Sequence, residues 1–138
     1  MKQRNILIAG AGSAGTMMAN HLKRKLNHHE WKITIVDEAT THYYQPGFLF
    51  LPFGIYDEHE IQKPITIYIP DDVDFINTAI DKIEPERNVL TLINGAELPY
   101  DILIIASGCS IAPEETLGMK DKLWYKDIFD FYSFEGAK

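Results

Sequence analysis

The 138-residue sequence predicts an α/β domain, with a parallel sheet whose crossover is a β-meander. Three observations predict it. Asn5–Ala9 is an apolar run that breaks at Gly10-Ala11-Gly12-Ser13-Ala14-Gly15 and gives way to helical periodicity. Lys32–Asp37 is a second apolar run, so the two bracket a helix as in a βαβ unit. Val89–Ile93 and Ala96–Pro99 flank Asn94-Gly95, a strong hairpin signal because both turn positions tolerate positive φ.

The elements follow in order. Asn5–Ala9 is a buried strand. Ser13–Asn27 is a helix whose core stripe falls on Ala14, Met18, Leu22 and Leu26, at i, i+4, i+8 and i+12. That placement makes the methionines packing residues. Lys32–Asp37 is the second strand. Residues 39–57, rich in aromatics and proline, form a long loop, of the kind that is usually functional in a small domain. Ile61–Ile69 is open to two readings. Ile65, Ile67 and Ile69 alternate like a strand, whereas Pro64 suits the first turn of a short helix. Val73–Asn77 and Ala79–Glu84 are strands, residues 88–99 the hairpin, and Ile102–Ala106 a fully apolar strand ending in Ser107-Gly108. Within a C-terminal segment 120–138, Trp124 to Phe134 is aromatic and reads as helical at its end. In such a sheet the carboxyl ends after Ala9, Asp37 and Ala106 converge on one edge, where open α/β sheets bind ligands.

Bulk properties limit the function. Residues 1–138 fit one domain with ordinary apolar content, and the net charge of -7 excludes a general nucleic-acid binder. The charge is uneven: residues 1–56 carry six Lys/Arg and three Asp/Glu, residues 57–138 seven and seventeen. Much of the first excess is Lys23-Arg24-Lys25, a solvated helix face. Cys109 is the single cysteine, so no internal disulfide forms and a reducing, cytoplasmic compartment is expected. No leader is expected before the first strand, since Ile6 to Ala9 is too short for its hydrophobic region, and the uncharged stretch His42–Tyr56 is too broken by proline and glycine to span a bilayer.

The glycine segment carries the chemistry. Gly10 makes a tight turn, Gly12 lets the backbone approach a pyrophosphate, and Gly15 lets the helix pack closely on the sheet. The helix start at Ser13 and Ala14 offers free N–H groups to phosphates. Asp37 lies 22 residues after Gly15, where an acid can accept hydrogen bonds from ribose hydroxyls, with Glu38 its neighbour. An acid at this place repels the 2′-phosphate of NADP. His21, His28, His29 and His59 share no metal-ligand spacing, and no metal site is expected. His42 reads as a solvated loop residue. Asp71-Asp72-Val73-Asp74 lacks the glycine and distal glutamate of a calcium loop and reads as a solvated turn.

Three segments together carry a resemblance: the glycine turn with Asp37; His42-Tyr43-Tyr44-Gln45-Pro46-Gly47-Phe48-Leu49-Phe50-Leu51-Pro52-Phe53-Gly54; and Pro99-Tyr100-Asp101-Ile102-Leu103-Ile104-Ile105-Ala106-Ser107-Gly108. The chain resembles the N-terminal FAD-binding segment of the two-dinucleotide-domain flavoprotein disulfide reductases. Within them it is most similar to sulfide:quinone oxidoreductase and flavocytochrome c sulfide dehydrogenase. The Tyr-Gln-Pro loop discriminates among branches, and residues 38–108 lack the redox cysteine pair of the glutathione-reductase-like branch.

The resemblance implies a Rossmann-like FAD/NAD(P)-binding domain that covers about the first third of a family member, so the chain is expected to be a fragment. It implies FAD as cofactor, favoured over NAD by the meander and the second glycine signature. Gly10, Gly12, Ser13, Ala14 and Gly15 would hold the pyrophosphate, and Asp37 with Glu38 the ribose. Gln45 and Pro46 would reach towards the isoalloxazine ring. Thr78 to Ile80, centred on Ala79, would meet the adenine, and Ser107 and Gly108 would close the adenosine side. The intact enzyme would pass electrons from sulfide through FAD to a quinone and associate peripherally with a membrane. The chain alone would not turn over.

No catalytic residue is expected in the chain. Cys109 is a candidate only by analogy with the family's sulfur-carrying cysteines, and its place after Ser107-Gly108 suits a packing residue better. Tyr43, Tyr44, Phe48, Phe50 and Phe53 would wall a flavin pocket or bury themselves on the domain. If they are exposed, they offer a route to homo-oligomers. Two alternatives stand beside this reading: another enzyme of the superfamily, such as an NADH:quinone dehydrogenase, and a stand-alone, non-catalytic dinucleotide-binding module.

Overall fold

Four parallel strands form the central sheet in the computed structural model, which describes residues 3–120 and 123–138. Met1, Lys2, Asp121 and Lys122, the last two within the expected 120–138 segment, lie outside the described residues. In chain order the elements are β1 (Arg4–Ala9), α1 (Ser13–Lys25), β2 (Trp31–Asp37), β3 (Thr41–Tyr43), α2 (Glu58–Ile61), β4 (Gln62–Pro64), β5 (Asp74–Asn77), β6 (Ile80–Glu84), β7 (Val89–Leu92), β8 (Glu97–Pro99), β9 (Ile102–Ile105) and α3 (Phe134–Ala137). The central sheet has the order β5-β2-β1-β9, and β3 pairs with β4 in a two-stranded ribbon. The chain divides into two compact units, residues 1–42 with 64–108, and residues 43–63 with 109–138.

The first unit is layered by the period-2 alternation of β1. Ile6 and Ile8 point to one face, where they join Ile33, Ile35, Ala11 and Ala19 with Leu22 and Leu26 of α1 packed against them. Leu7 and Ala9 point to the other, where Val36, Leu90 and Leu92 meet them. Ile8 and Ile35 are both at 0% exposure, each burial contributing about 1.5–3 kcal/mol. The antiparallel meander β6-β7-β8 covers the second face and carries the chain from β5 to β9, as expected of the crossover.

Several local expectations are corrected. The buried residues of α1 are Gly15, Thr16 and Ala19, while Ala14 and Met18 are exposed. The stripe therefore runs Gly15, Ala19, Leu22, Leu26, because the close seat of Gly15 on the turn sets the helix rotation. Met17 and Met18 do not pack the core. The Asn94-Gly95 turn has positive φ only at Gly95, at +84°. Gly95 N–H donates to Leu92 O at 2.8 Å, and Asn94 Oδ1 accepts from Ala96 N–H at 3.0 Å. Ile93 and Asn94 thus occupy the turn centre, and the glycine takes the left-handed position after it. Of the two readings of Ile61–Ile69, the short helix prevails for Ile65–Tyr68, a 3-10 turn entered from Pro64.

In the second unit, the stretch read as a loop contains a nine-residue 3-10 helix, Gln45–Phe53, with proline in its first turn. Asp57 and Glu60 form a capping box that starts α2. Phe48, Ile61 and Ala137 form a small core with Tyr43, Leu51, Tyr56 and Phe134 around it. Tyr43 and Phe48 therefore bury themselves in this unit, whereas Tyr44, Phe50 and Phe53 are exposed. Helix begins only at Phe134 because Asp130 holds a turn before it. Its carboxylate accepts from Tyr132 N–H at 2.8 Å, Ser133 N–H at 2.6 Å and Tyr125 hydroxyl at 2.9 Å. Among the described residues, no helix is long and apolar enough to cross a membrane.

Candidate functional site

The carboxyl ends of β1, β2 and β9 meet at the glycine turn. Gly10 donates its N–H to Val36 O at 2.8 Å, and Ala106 donates to Ala9 O at 2.7 Å. Gly10 has φ of +104°, and a Cβ there would run into the Ala106 carbonyl, so only glycine fits. A Cβ on Gly15 would run into the carbonyl oxygen of Gly10, and its absence lets α1 seat on the turn. Gly12 differs, since a Cβ there would have nothing within 4 Å. Two glycines serve the fold, and the third leaves the backbone open to an approaching group.

The start of α1 is equally open. It has no side-chain cap and no acid in its first turn, while Lys23, Arg24 and Lys25 complement the dipole at its far end. The first helical bond runs from Thr16 N–H to Gly12 O at 3.0 Å, so the N–H groups of Ser13, Ala14 and Gly15 lie ahead of it. Gly12, Ser13 and Ala14 are exposed. Uncapped donors at a positive dipole end suit a phosphate.

Asp37 does more than the sequence suggests. Its Oδ2 accepts from Ala11 N–H at 2.6 Å and its Oδ1 from Ala39 N–H at 2.8 Å, so the acid clasps the glycine turn to the end of β2. Each carboxylate oxygen keeps a further lone pair for a ligand hydroxyl. Glu38 beside it is exposed.

A groove of about 220 Å³ runs along this edge, lined by Gly10, Val36, Asp37, Glu38, Thr78, Ala79, Ile80 and Ser107. It gathers Gly10, Asp37, Glu38, Ala79 and Ser107 in one place, as the sequence reading expected of converging strand ends. Ala79 O accepts from Ile93 N–H at 3.0 Å, which commits that carbonyl to the meander. Gly108 follows Ser107. Thr78 and Ile80, from the segment that the resemblance assigns to the adenine, also line it, and Val36 adds an apolar wall that no motif marks, although it stands near the mouth end of β2.

Asn77, also passed over, holds the backbone beneath Asp37. Its Nδ2 lies 2.9 Å from Asp37 O, 3.1 Å from Glu38 O and 3.0 Å from Ala39 O. No periodicity or motif marks such a residue.

The remaining candidates lie elsewhere. Gln45, in the second unit, donates from Nε2 to Tyr132 O at 3.3 Å, and Pro46 is exposed in the first turn of the 3-10 helix. Cys109 is exposed in that unit, its Sγ 2.8 Å from the Tyr132 hydroxyl, a contact that raises the Tyr132 phenol above its ordinary range. His42 is not a solvated loop residue. It lies on β3, its ring 4.5 Å from that of Tyr68, and its Nδ1 is buried without a partner. Burial holds its pKa below the usual histidine value. In the acidic turn, Asp72 pairs with Lys23 at 2.9 Å and Asp74 with Lys32 at 2.8 Å. The Lys23 hydrogen bond holds Asp72 below the usual carboxylate range.

Comparison with known proteins agrees with this geometry. The mitochondrial sulfide:quinone oxidoreductase of Dictyostelium discoideum is 26% identical over 133 residues, which cover 96% of this chain and 29% of that protein. The type II NADH:quinone oxidoreductase of Staphylococcus haemolyticus is 29% identical over 120 residues, covering 86% of this chain and 30% of that one. The crystal structure of the sulfide:quinone oxidoreductase from Aquifex aeolicus superposes with a TM-score of 0.78 at 22% identity, over 97% of this chain and 30% of that chain, a likeness of fold. The chain thus spans about 30% of the length of these relatives. Residues 4–131 match the pyridine nucleotide-disulphide oxidoreductase family, a family of FAD-dependent flavoproteins. A match over nearly the whole sequence, on a fold whose strand ends and glycine turn are those of a dinucleotide site, makes this chain a member of the pyridine nucleotide-disulphide oxidoreductase family.

Proposed function

We propose that this chain is the FAD-binding part of a sulfide:quinone-oxidoreductase-like flavoenzyme. The observation that carries the cofactor assignment is the uncapped, acid-free start of α1 behind an open Gly12, continuous with the groove that holds Asp37 and Ala79. The N–H groups of Ser13, Ala14 and Gly15 would hold the pyrophosphate, Asp37 and Glu38 the adenosine ribose, and Ala79, Ser107 and Gly108 the adenine side. Gln45 and Pro46 are assigned to the ring side by the resemblance of their loop. FAD, when bound, supplies electron transfer between a donor and an acceptor, and this chain supplies binding and orientation.

Sulfide as donor and quinone as acceptor are supported by the relatives of that activity, among them the Dictyostelium protein. Their full activity belongs to proteins more than three times as long, and we propose that this chain turns over only with the remaining parts. The type II NADH:quinone oxidoreductase relatives support NADH as a second possible donor.

Titration of FAD into the protein by calorimetry, with NAD as control, tests the reading. Saturable FAD binding that Gly12→Val abolishes is expected. NAD binding without FAD binding would overturn it. Anaerobic addition of sulfide or NADH to FAD-loaded protein, followed at the flavin absorption band, separates the two donors.

A further inference from the structure

Asp37 is the last residue of β2, and its register partner on β5 is Asn77. Beyond this pair the two strands part. Thr78 N–H turns back to Ile76 O at 3.1 Å instead of continuing the ladder, so the carbonyls of residues 37–39 lose the donors that a longer parallel pairing would give them. The Asn77 side chain replaces those donors. Its amide nitrogen sits 2.9–3.1 Å from all three carbonyl oxygens, its two hydrogens shared among them. Three acceptors around one atom also fix the amide orientation, since its own oxygen there would be repelled. The Asp37 carboxylate is itself held by the N–H groups of Ala11 and Ala39. Asn77 is not among the residues lining the groove.

We propose that Asn77 is the positioning residue for sugar recognition at this site: it fixes the 37–39 backbone so that Asp37 presents its free lone pairs to the ribose hydroxyls. The proposal rests on the reading of the groove as the adenosine end of a dinucleotide site. Asn77 touches the backbone and not the ligand, so it acts only through Asp37.

The test uses ADP and 2′,3′-dideoxy-ADP, which differ only in the hydroxyls that Asp37 would read, with binding followed by calorimetry. Asn77→Ala should weaken ADP about tenfold, the size of one charge-assisted hydrogen bond. It should change dideoxy-ADP by less than about twofold, a difference that additivity can resolve. In an Asp37→Ala background, Asn77→Ala should have no further effect on ADP. Asn77→Ser, which keeps one donor, should recover part of the loss, and thermal unfolding of each variant verifies that it is folded. Equal weakening of both nucleotides, or unchanged ADP affinity in Asn77→Ala, would overturn the role of Asn77 while leaving the groove assignment in place. Failure of ADP to bind the unaltered protein would overturn the groove assignment and the role of Asn77 together.

Discussion

The Asp37 carboxylate lies 2.6 Å from the backbone nitrogen of Ala11, so the acid at the end of β2 and the glycine turn form one hydrogen-bonded unit. A substitution at Asp37 therefore acts on stability and on binding at once. Asp37→Ala leaves the Ala11 and Ala39 N–H groups without their acceptor and is expected to destabilise the fold by about 1–3 kcal/mol, the cost of charge-assisted hydrogen bonds to backbone. Urea denaturation should register this without ligand present. FAD affinity should fall further than that of the Glu38→Ala protein, because Glu38 is exposed and supports no turn.

Gly12 and Gly15 are separated by one helical turn and should behave in opposite ways. Gly12→Val places its side chain in open space, so the melting temperature is expected to stay near that of the unaltered protein while FAD binding is lost. Gly15→Ala drives a methyl group against the Gly10 carbonyl and is expected to cost about 1–3 kcal/mol, in the range of overpacked cores. A Gly12→Val protein that unfolds early, or a Gly15→Ala protein as stable as the original, would contradict this division of labour.

Asp130 gives the second unit a pH dependence. Desolvation by itself would raise its pKa, but the Ser133 N–H, the Tyr125 hydroxyl, the Tyr132 N–H and the Ser133 hydroxyl outweigh it, and the carboxyl lies below its ordinary value of 3.8. A depressed carboxylate stabilises above its unfolded pKa and loses that contribution as pH falls through the folded one. The turn at residues 125–133 should therefore loosen as acid is added below about pH 4 and hold steadily above it. Amide shifts of Tyr132 and Ser133 followed by NMR should report the transition, and Asp130→Asn should remove it.

The parts of this molecule legible in the sequence are those set by periodicity and glycine chemistry. The strand Asn5–Ala9, the turn after it, Asp37 and the apolar run at Ile102 all stand where composition and spacing place them. The rotation of α1 escapes a count of apolar side chains, although the glycine turn already marks it: Gly15, which the motif seats on the sheet, decides which face turns inward. Nor was the double duty of Asp37, since its Ala11 and Ala39 partners are backbone groups that exist whatever residue stands there. Asn77 escaped for the same reason: its three acceptors are carbonyls. The 3-10 helix at Gln45–Phe53 is masked by Pro46 and Pro52, which mark irregular chain as readily as a tight helix.

The place of β1 in the sheet also bears on how the protein is made. β1 precedes both of its neighbours in the chain and lies inside the sheet, with β2 on one side and β9 on the other. The β1–β9 side is closed by residues such as Asn5 and Asp101, 96 positions apart. During translation this inner strand can gain its near neighbour β2 early, but its other edge stays unsatisfied until the whole meander has emerged. Over that interval an apolar strand edge is open to other nascent chains, an aggregation route that the stability of the finished fold does not remove.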